Sequence, residues 1–556
     1  MIETLMRQRL GKTGTLLSIL ALLPAVSFAQ PAITIEQQVM TTQSCSGRFV
    51  RHELEHLTTV PGGGAVRGFD ANGSGVALGD LDGDGDLDIV LANHAGPNSI
   101  LWNETSGGGS APAFRRQALG EGDARGVVIV DVDGDGLLDI VFSRRVSAPN
   151  YWRNTGKGFA LTVLPGVAEP LYALGWADLD GDGDLDLAGA SYDAALLEAF
   201  GAEFLNGGRS GVYVYENRDG VFVPTQLADA AQALTLLLVD LDGDRRLDLV
   251  VGNDFAVPDM IWLHREDGWQ AAAPFSVTSH STMSLASGDL DNDGRFELFA
   301  TDMRPYRSDD ATLAAWRPIL EMMANEEMPA GDPQRMHNVL QVPGGDGYRE
   351  EAALRGVAAS GWSWSGKFGD LDGDGFLDLY VVNGMAEATI FAQLPGHELT
   401  EANLALRNDG RGRFVPVPEW NLGSRRGGRG LSMGDLDNDG DLDVVVNNLR
   451  GPAELFENQL CRQDPQRSLQ LELRWPGSGN TRALGALVAL TTSSGTQWRV
   501  MRAGSGYLSG DPPRLHFGIP AGAVLEALRV RWPDGSTSMV TDLEAGTLLV
   551  VSREQE

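Results

Sequence analysis

Asp80-Leu81-Asp82-Gly83-Asp84-Gly85-Asp86-Leu87-Asp88 decides the reading of this chain, because the pattern comes back six more times. D-x-D-x-D-G-x-hydrophobic-D, with small departures in two copies, begins again at Asp131, Asp178, Asp240, Asp289, Asp370 and Asp435, at spacings of 51, 47, 62, 49, 81 and 65 residues. One copy is a weak motif; seven in order amount to an architecture. Side chains at positions 1, 3, 5 and 9, with the carbonyl of position 7, can converge on one cation. Glycine at position 6 permits the left-handed turn that folds them inward. An all-oxygen donor set suits a hard cation, Ca2+ above all.

Loop one offers Asp80, Asp82, Asp84 and Asp88 with the carbonyl of Asp86, and loop two Asp131, Asp133, Asp135 and Asp139 with that of Leu137. Loop three offers Asp178, Asp180, Asp182 and Asp186 with Asp184, and loop six Asp370, Asp372, Asp374 and Asp378 with Phe376. Loop seven offers Asp435, Asp437, Asp439 and Asp443 with Asp441. Loop five (Asp289, Asp291, Asp293, the Arg295 carbonyl) ends in Glu297, whose longer arm still reaches the ion. Loop four (Asp240, Asp242, Asp244, Asp248) has Arg245 where glycine belongs and Arg246 next to it, so its site is expected to be weak or empty. The expectation is up to seven Ca2+, with the Asp240–Asp248 site in doubt. An EF-hand is excluded: position 12 is Leu91, Phe142, Gly189, Val251, Ala300, Val381 or Val446, never the bidentate glutamate that motif needs.

Composition agrees with cation cages. The 556-residue chain has a formal charge of -33, and 31 of its 76 acidic residues lie in the seven loops. Such a charge argues against nucleic acid or an anionic membrane as partner. Without counter-ions each loop would hold four or five like charges within nine residues.

Each loop sits between two strand-like runs, Gly75–Gly79 before the first and Leu87–Leu91 after it. A third run often ends in asparagine, at Asn103, Asn154, Asn217 and Asn458, and a fourth begins with an aromatic: Phe114, Phe159, Phe222, Trp269, Tyr348, Phe414. Four short strands per unit and seven units predict an all-β fold, a seven-bladed β-propeller. The last unit lacks a fourth strand, and Phe49–Leu54 near the N-terminus is expected to supply it. The only cysteines, Cys45 and Cys461, flank that junction, so a disulfide between them is expected to staple the closure.

The units resemble FG-GAP/VCBS repeats, the integrin α-like propeller type. Beyond Gln463-Asp464-Pro465, the runs Asn480–Ala486, Arg502–Ser509, Arg514–Gly518 and Val530–Gly535 are similar to the ASPIC/UnbV domain, here a small β-sandwich. The combination resembles the cartilage acidic protein family and its bacterial relatives. That resemblance implies an extracellular calcium-binding protein. The expected division is a signal peptide at 1–29, a linker at 30–44, the propeller at 45–463 and the ASPIC/UnbV-like domain at 464–556. The signal reading rests on Arg7, Arg9 and Lys12, the apolar run Leu16–Val26, and small residues at Ser27-Phe28-Ala29. It places the mature protein, a monomer with no membrane insertion, in the medium, the periplasm or on the cell surface.

Long insertions at about 189–212, 302–337 and 384–403 fall between second and third strands, opposite the acidic loops. The first two read as partly helical (194–204 and 310–326). A groove lined from Tyr192, Phe204, Tyr306, Trp316 and Phe391 is expected there. His52-Glu53-Leu54-Glu55-His56 matches H-E-x-x-H, but on the closing strand its histidines lie about 13 Å apart, too far to share one zinc. No nucleophile elbow or phosphate-binding glycine loop is present. The reading is therefore an adhesion or ligand-binding module for an extracellular glycan or protein, with calcium in a structural role. The alternative is a polysaccharide lyase-like enzyme with its site on the insertion face, for which Arg304 and Arg307 with Trp316 are the candidate residues.

Overall fold

Seven antiparallel sheets, six of four strands and one of five, stand around one axis in a computed structural model that describes residues 31–41, 45–105, 111–205, 207–255, 257–325, 331–345, 347–461 and 468–554. The expected signal peptide and the 463–465 boundary lie outside the described residues. In blade one the strands are Val76–Gly79, Asp88–Leu91, Pro97–Asn103 and Phe114–Glu121, paired in chain order from the axis outward. The innermost strands of the other blades are Ala124–Val130, Ala173–Ala177, Ala233–Val239, Ser284–Gly288, Gly361–Gly369 and Gly428–Gly434. Each lies beside the next, and the seventh lies beside the first.

Burial explains the sequence pattern. Ala124–Val130 and Ala233–Val239 are buried at every residue, because both faces of an inner strand pack on neighbouring blades, so they read as mostly apolar runs, broken by Arg125 and Thr235. Outer strands face water on one side. Val50–Leu57 accordingly buries Leu54 and His56 and exposes the residues between. This strand pairs antiparallel with Pro452–Glu457, register Val50↔Glu457, and is the fourth strand of blade seven.

The C-terminal region forms two further four-stranded sheets. Gly495–Val500, Leu487–Thr492, Leu525–Arg531 and Thr537–Val540 make one; Ile33–Val39, Thr547–Arg553, Ser468–Arg474 and Leu515–Gly518 make the other. The segment expected to be a linker is thus in part a strand. Ile33–Val39 pairs antiparallel with Thr547–Arg553, as its alternating Ile33, Ile35, Gln37 and Val39 allow. The N-terminal segment therefore completes both the sandwich and the propeller. Cys45, between those two strands, is disulfide-bonded to Cys461 with Cα atoms 5.5 Å apart. A Cys45→Ser/Cys461→Ser variant is expected to lose about 3–5 kcal/mol in urea unfolding, since the bond closes a loop of 416 residues.

Between the sheets of the sandwich, Leu469, Leu471, Val488, Leu490, Leu528, Trp532 and Val551 form a core that runs on into Val130, Val132 and Leu185 of blades two and three. A tight hairpin, Gly504–Ser505 and Ser509–Gly510, leaves the sandwich and enters the propeller axis. There Val127 N–H donates to the Leu508 carbonyl at 3.1 Å and Gly506 N–H to that of Leu285 at 2.7 Å. Thr235 Oγ1 donates to the Gly506 carbonyl at 2.8 Å and Ser432 Oγ to that of Gly510 at 2.8 Å. Tyr507 at the tip is fully buried, its N–H on Ser365 Oγ and its hydroxyl 3.2 Å from that of Tyr172. A Cβ on Gly75 would lie 1.7 Å from the Leu508 carbonyl oxygen, so the hairpin leaves room only for glycine there.

The insertions hold helices at Asp193–Phe200, Ala202–Leu205 and Asp310–Asn325. They do not dock the sandwich, which sits on the acidic-loop face. Tyr192 and Phe391 are buried in the core rather than lining a groove, and Phe204 packs against Phe200 with ring centroids 4.7 Å apart and the rings tilted by 34°.

Candidate metal centres

Each acidic loop is one tight turn closed on its own carboxylates. In loop one, Asp80 Oδ1 accepts the Gly83 N–H at 2.7 Å and Oδ2 the Gly85 N–H at 3.1 Å. Asp88 Oδ2 accepts the Leu81 N–H at 3.1 Å. The pattern recurs at Asp131, Asp178, Asp289, Asp370 and Asp435, each accepting the N–H of its position 6. At position 9, Asp139, Asp186, Asp248, Glu297, Asp378 and Asp443 each accept the N–H of position 2. The turn needs a left-handed residue at position 4 as well as at 6, which the sequence pattern did not specify: Gly83 and Gly85 have φ of 82° and 96°.

The carboxylates of positions 1, 3, 5 and 9 are thereby gathered. In loops one to five, one oxygen from each of three loop carboxylates lies within 4.8 Å of the other two: Asp80/Asp82/Asp84, Asp131/Asp133/Asp139, Asp178/Asp180/Asp186, Asp240/Asp242/Asp248 and Asp289/Asp291/Asp293. Several oxygens find no donor. Asp437 Oδ1, Asp439 Oδ2 and Asp441 Oδ1 in loop seven, Asp184 Oδ1 in loop three and Asp291 Oδ1 in loop five are buried without a hydrogen-bond partner. Acceptors gathered in this way, with no protein donor to meet them, fit a cation. The titration behaviour agrees. Burial, then the neighbouring carboxylates, push Asp370 and Glu297 up to about 8 and Asp88, Asp139 and Asp186 to about 7; backbone donors pull the other way. Asp378, Asp441 and Asp443 are raised well above the carboxylate range by the same two causes.

Position 9 has a second task, which the sequence reading missed. Its other oxygen accepts the backbone N–H of an asparagine that ends the third strand: Asn103, Asn154, Asn217, Asn408 and Asn458, at 2.7 to 2.8 Å. The amide of that asparagine then donates to two loops. Asn103 Nδ2 reaches the Leu87 carbonyl of its own loop and, at 2.7 Å, the Leu436 carbonyl of blade seven. Asn154, Asn408 and Asn458 likewise reach Leu81, Leu290 and Leu371 of the preceding blade. The signal was there in the sequence: Asn103, Asn154 and Asn458 each follow their loop's first aspartate by 23 residues.

The sandwich covers these loops. Position 1 oxygens accept from it directly: Asp131 Oδ2 from Thr481 at 2.6 Å, Asp370 Oδ2 from the Gly518 N–H at 3.1 Å, and Asp435 Oδ2 from Gln470. Arg514 donates to the Gly85 carbonyl at 2.9 Å, and His516, held neutral by a pKa near 4 from burial, donates to that of Gly440 at 3.0 Å.

The loops are not equivalent. Arg245 is forced to φ 79°, and Arg265 pairs with Asp242 at 2.5 Å and Asp244 at 3.0 Å, so loop four carries its own counter-charge. Arg153 does the same in loop two, against Asp133 and, at 3.0 Å, Asp135. An Arg245→Gly/Arg265→Ala variant is expected to gain one bound Ca2+ per chain over the wild type, read by metal analysis after gel filtration.

The other sequence candidates are structural. His52 pairs with Glu457 at 2.6 Å and His56 meets Ser99 Oγ at 2.9 Å, so the H-E-x-x-H string faces two different partners on a strand. Arg307 pairs with Asp309, which caps the helix Asp310–Asn325 by accepting the Thr312 N–H at 3.1 Å. On the insertion face a cleft of about 570 Å³ is lined by Tyr306, Arg307, Trp316, Glu401, Asn403 and Arg425 among others. The Trp316 ring is fully buried, with its N–H on Glu401 Oε1 at 3.0 Å.

Comparison with known proteins fits this anatomy. The FG-GAP-like repeat model matches residues 80–142, 131–189, 240–300 and 396–446, and the ASPIC and UnbV model residues 467–556. Cartilage acidic protein 1 of Xenopus tropicalis is 24% identical over 87% of this chain and 74% of its own length. The Homo sapiens protein of the same name is 24% identical over 83% and 69%. Among solved structures, a rhamnogalacturonan lyase of Bacillus licheniformis is similar at a TM-score of 0.34 and 14% identity, over 74% of this chain and 76% of its own, too distant to bear on activity. No helix among the described residues is long and apolar enough to cross a membrane. The chain is a β-propeller of FG-GAP-like repeats carrying a C-terminal ASPIC and UnbV domain, homologous at low identity to cartilage acidic protein 1.

Proposed function

We propose that this protein is an extracellular, calcium-stabilised binding module, with the cations structural and the ligand, a glycan or a protein, held on the insertion face. The observation that carries this reading is the placement of the sandwich on the acidic loops, where it donates to Asp131, Asp370 and Asp435. Cation cages under a second domain are tie-points, not a recognition surface. Asp80, Asp82, Asp84 and Asp88 and their counterparts would hold the ions, which supply positive charge to crowded carboxylates, some of whose oxygens (Asp437 Oδ1, Asp439 Oδ2) have no protein donor. The opposite face keeps the cleft beside Tyr306, Arg307 and Arg425 open. The disulfide accords with an oxidising compartment.

The lyase alternative needs an aromatic platform beside a base. Trp316 offers none, being buried, and Arg307 is paired with Asp309 at 2.9 Å. The test is incubation of the calcium-loaded protein with a polysaccharide panel and with immobilised extracellular proteins, scoring retention and sugar release. Retention lost at least tenfold in Tyr306→Ala/Arg425→Ala, without sugar release, is the expected result. Release of unsaturated sugar would overturn it in favour of an enzyme.

A further inference from the structure

Between blades five to seven and the sandwich lies a cavity of about 140 Å³, every lining residue of which is buried or half-buried. Lys367, Arg499, Arg502 and Arg514 form its basic wall, beside the neutral His516 and against the carboxylates of Asp370 and Asp511. In a chain with 43 basic and 76 acidic residues this gathering runs against the composition. Two of the cations are compensated: Lys367 pairs with Asp511 at 2.5 Å and Arg514 with Glu472 at 2.7 Å. The other two rest on neutral acceptors. Arg499 donates to the Trp498 carbonyl at 2.9 Å and to Gln497 Oε1 at 3.4 Å, and Arg502 donates to the Ser287 carbonyl at 2.8 Å.

Among the described residues neither Arg499 nor Arg502 has a carboxylate within ion-pair distance. Arg502 Nε and His516 Nδ1 also lack any hydrogen-bond partner. A guanidinium taken out of water onto neutral carbonyls is costly unless an anion meets it. Burial draws the Arg502 pKa down to about 10, against the opposing pull of the Asp511 carboxylate, which is already paired with Lys367. The carboxylates that Arg499 does face, Asp370 and Asp289, belong to loops six and five. Water cannot supply the missing negative charge.

We propose that this cavity binds a small oxyanion, of the sulfate or phosphate class, which ties Lys367 of the propeller to Arg499 and Arg502 of the sandwich. The space would accept on the order of ten waters, hence a five-atom oxyanion with residual hydration. Guanidinium groups suit such an ion because their planar donors match two oxygens at once. The site requires no ligand on the insertion face and stands apart from the reading of that face.

The test uses the full calcium-loaded chain and inorganic sulfate, titrated against sodium chloride at matched ionic strength, because sulfate stabilises proteins generally through exclusion. A saturable rise in melting temperature at low millimolar sulfate is expected, with an apparent affinity at least tenfold weaker in Arg502→Met. Selenate-soaked crystals of the wild type should show an anomalous peak against Arg499 and Arg502, which decides the matter alone should the variant fail to fold. A linear rise identical in both proteins, or a cavity holding only water or chloride in those crystals, would overturn the proposal.

Discussion

Chelation is expected to lower the melting temperature by about 20 °C. An ion present at a thousandfold excess over its dissociation constant stabilises the folded state by about 4 kcal/mol. Five tightly held ions would therefore contribute about 20 kcal/mol. The unfolding entropy of a chain this size is about 1.1 kcal/mol per kelvin, which sets the shift. The pH dependence should also change sign. Without metal, Asp370, Glu297, Asp88, Asp139 and Asp186 titrate at about 7 to 8 in the folded protein, held up chiefly by burial. Their unfolded values lie near 4, so between about pH 4 and 8 the folded form binds more protons than the unfolded one. The metal-free protein must therefore lose stability as pH rises through that window and regain it on acidification. The calcium-loaded protein should do the reverse, because protons then compete with the ion. Scanning calorimetry at pH 5.5 and 8.5, with calcium and with chelator, gives all four values. A melting temperature unmoved by chelator at pH 8.5 would contradict a structural role for the cation.

Truncating the axial hairpin at its tip should be the most damaging single substitution in the sandwich. Tyr507→Ala removes a fully buried ring that packs 5.2 Å from Trp364 and whose hairpin bonds to strands of six blades. A loss of about 3–5 kcal/mol is expected. Tyr507→Phe keeps the packing and gives up only the hydroxyl contact with Tyr172, for about 1 kcal/mol. Denaturant unfolding of both variants measures the difference. If Tyr507→Ala cost no more than Tyr507→Phe, the hairpin would not be the axial support described above.

The propeller was legible because repetition averages out local ambiguity. Seven acidic turns at blade spacing mark strand corners far more firmly than any one strand marks itself. The closing strand, too, could be read, since blade seven ended at Asn458 one strand short. What stayed hidden depends on distance. Nothing local in Arg502–Ser509 says that this run leaves its own domain to occupy another's axis. Nor does the string before Cys45 announce that Ile33–Val39 belongs to a sheet built more than 400 residues later. At the metal centres, residue types and spacing gave the donor set, but the countering arginines were half seen. Arg245 breaks the motif and shows at once; Arg153 and Arg265 arrive from the third strand, where only pairing geometry brings them to loops two and four. The groove residues Tyr192 and Phe391 were misplaced for a plain reason. Large aromatics in an insertion read as surface until the insertion is known to fold back onto the core.

Metal stoichiometry decides whether the loops are cation cages. Protein stripped with chelator, refilled with Ca2+ and freed of excess by gel filtration should retain between five and six ions per chain. Loop four should be empty and loop two should fill last, since each already holds an arginine against two of its own carboxylates. Retention of one ion or none would show that these loops are self-neutralised turns rather than cation cages, and the account of how the blades are tied together would fall with it.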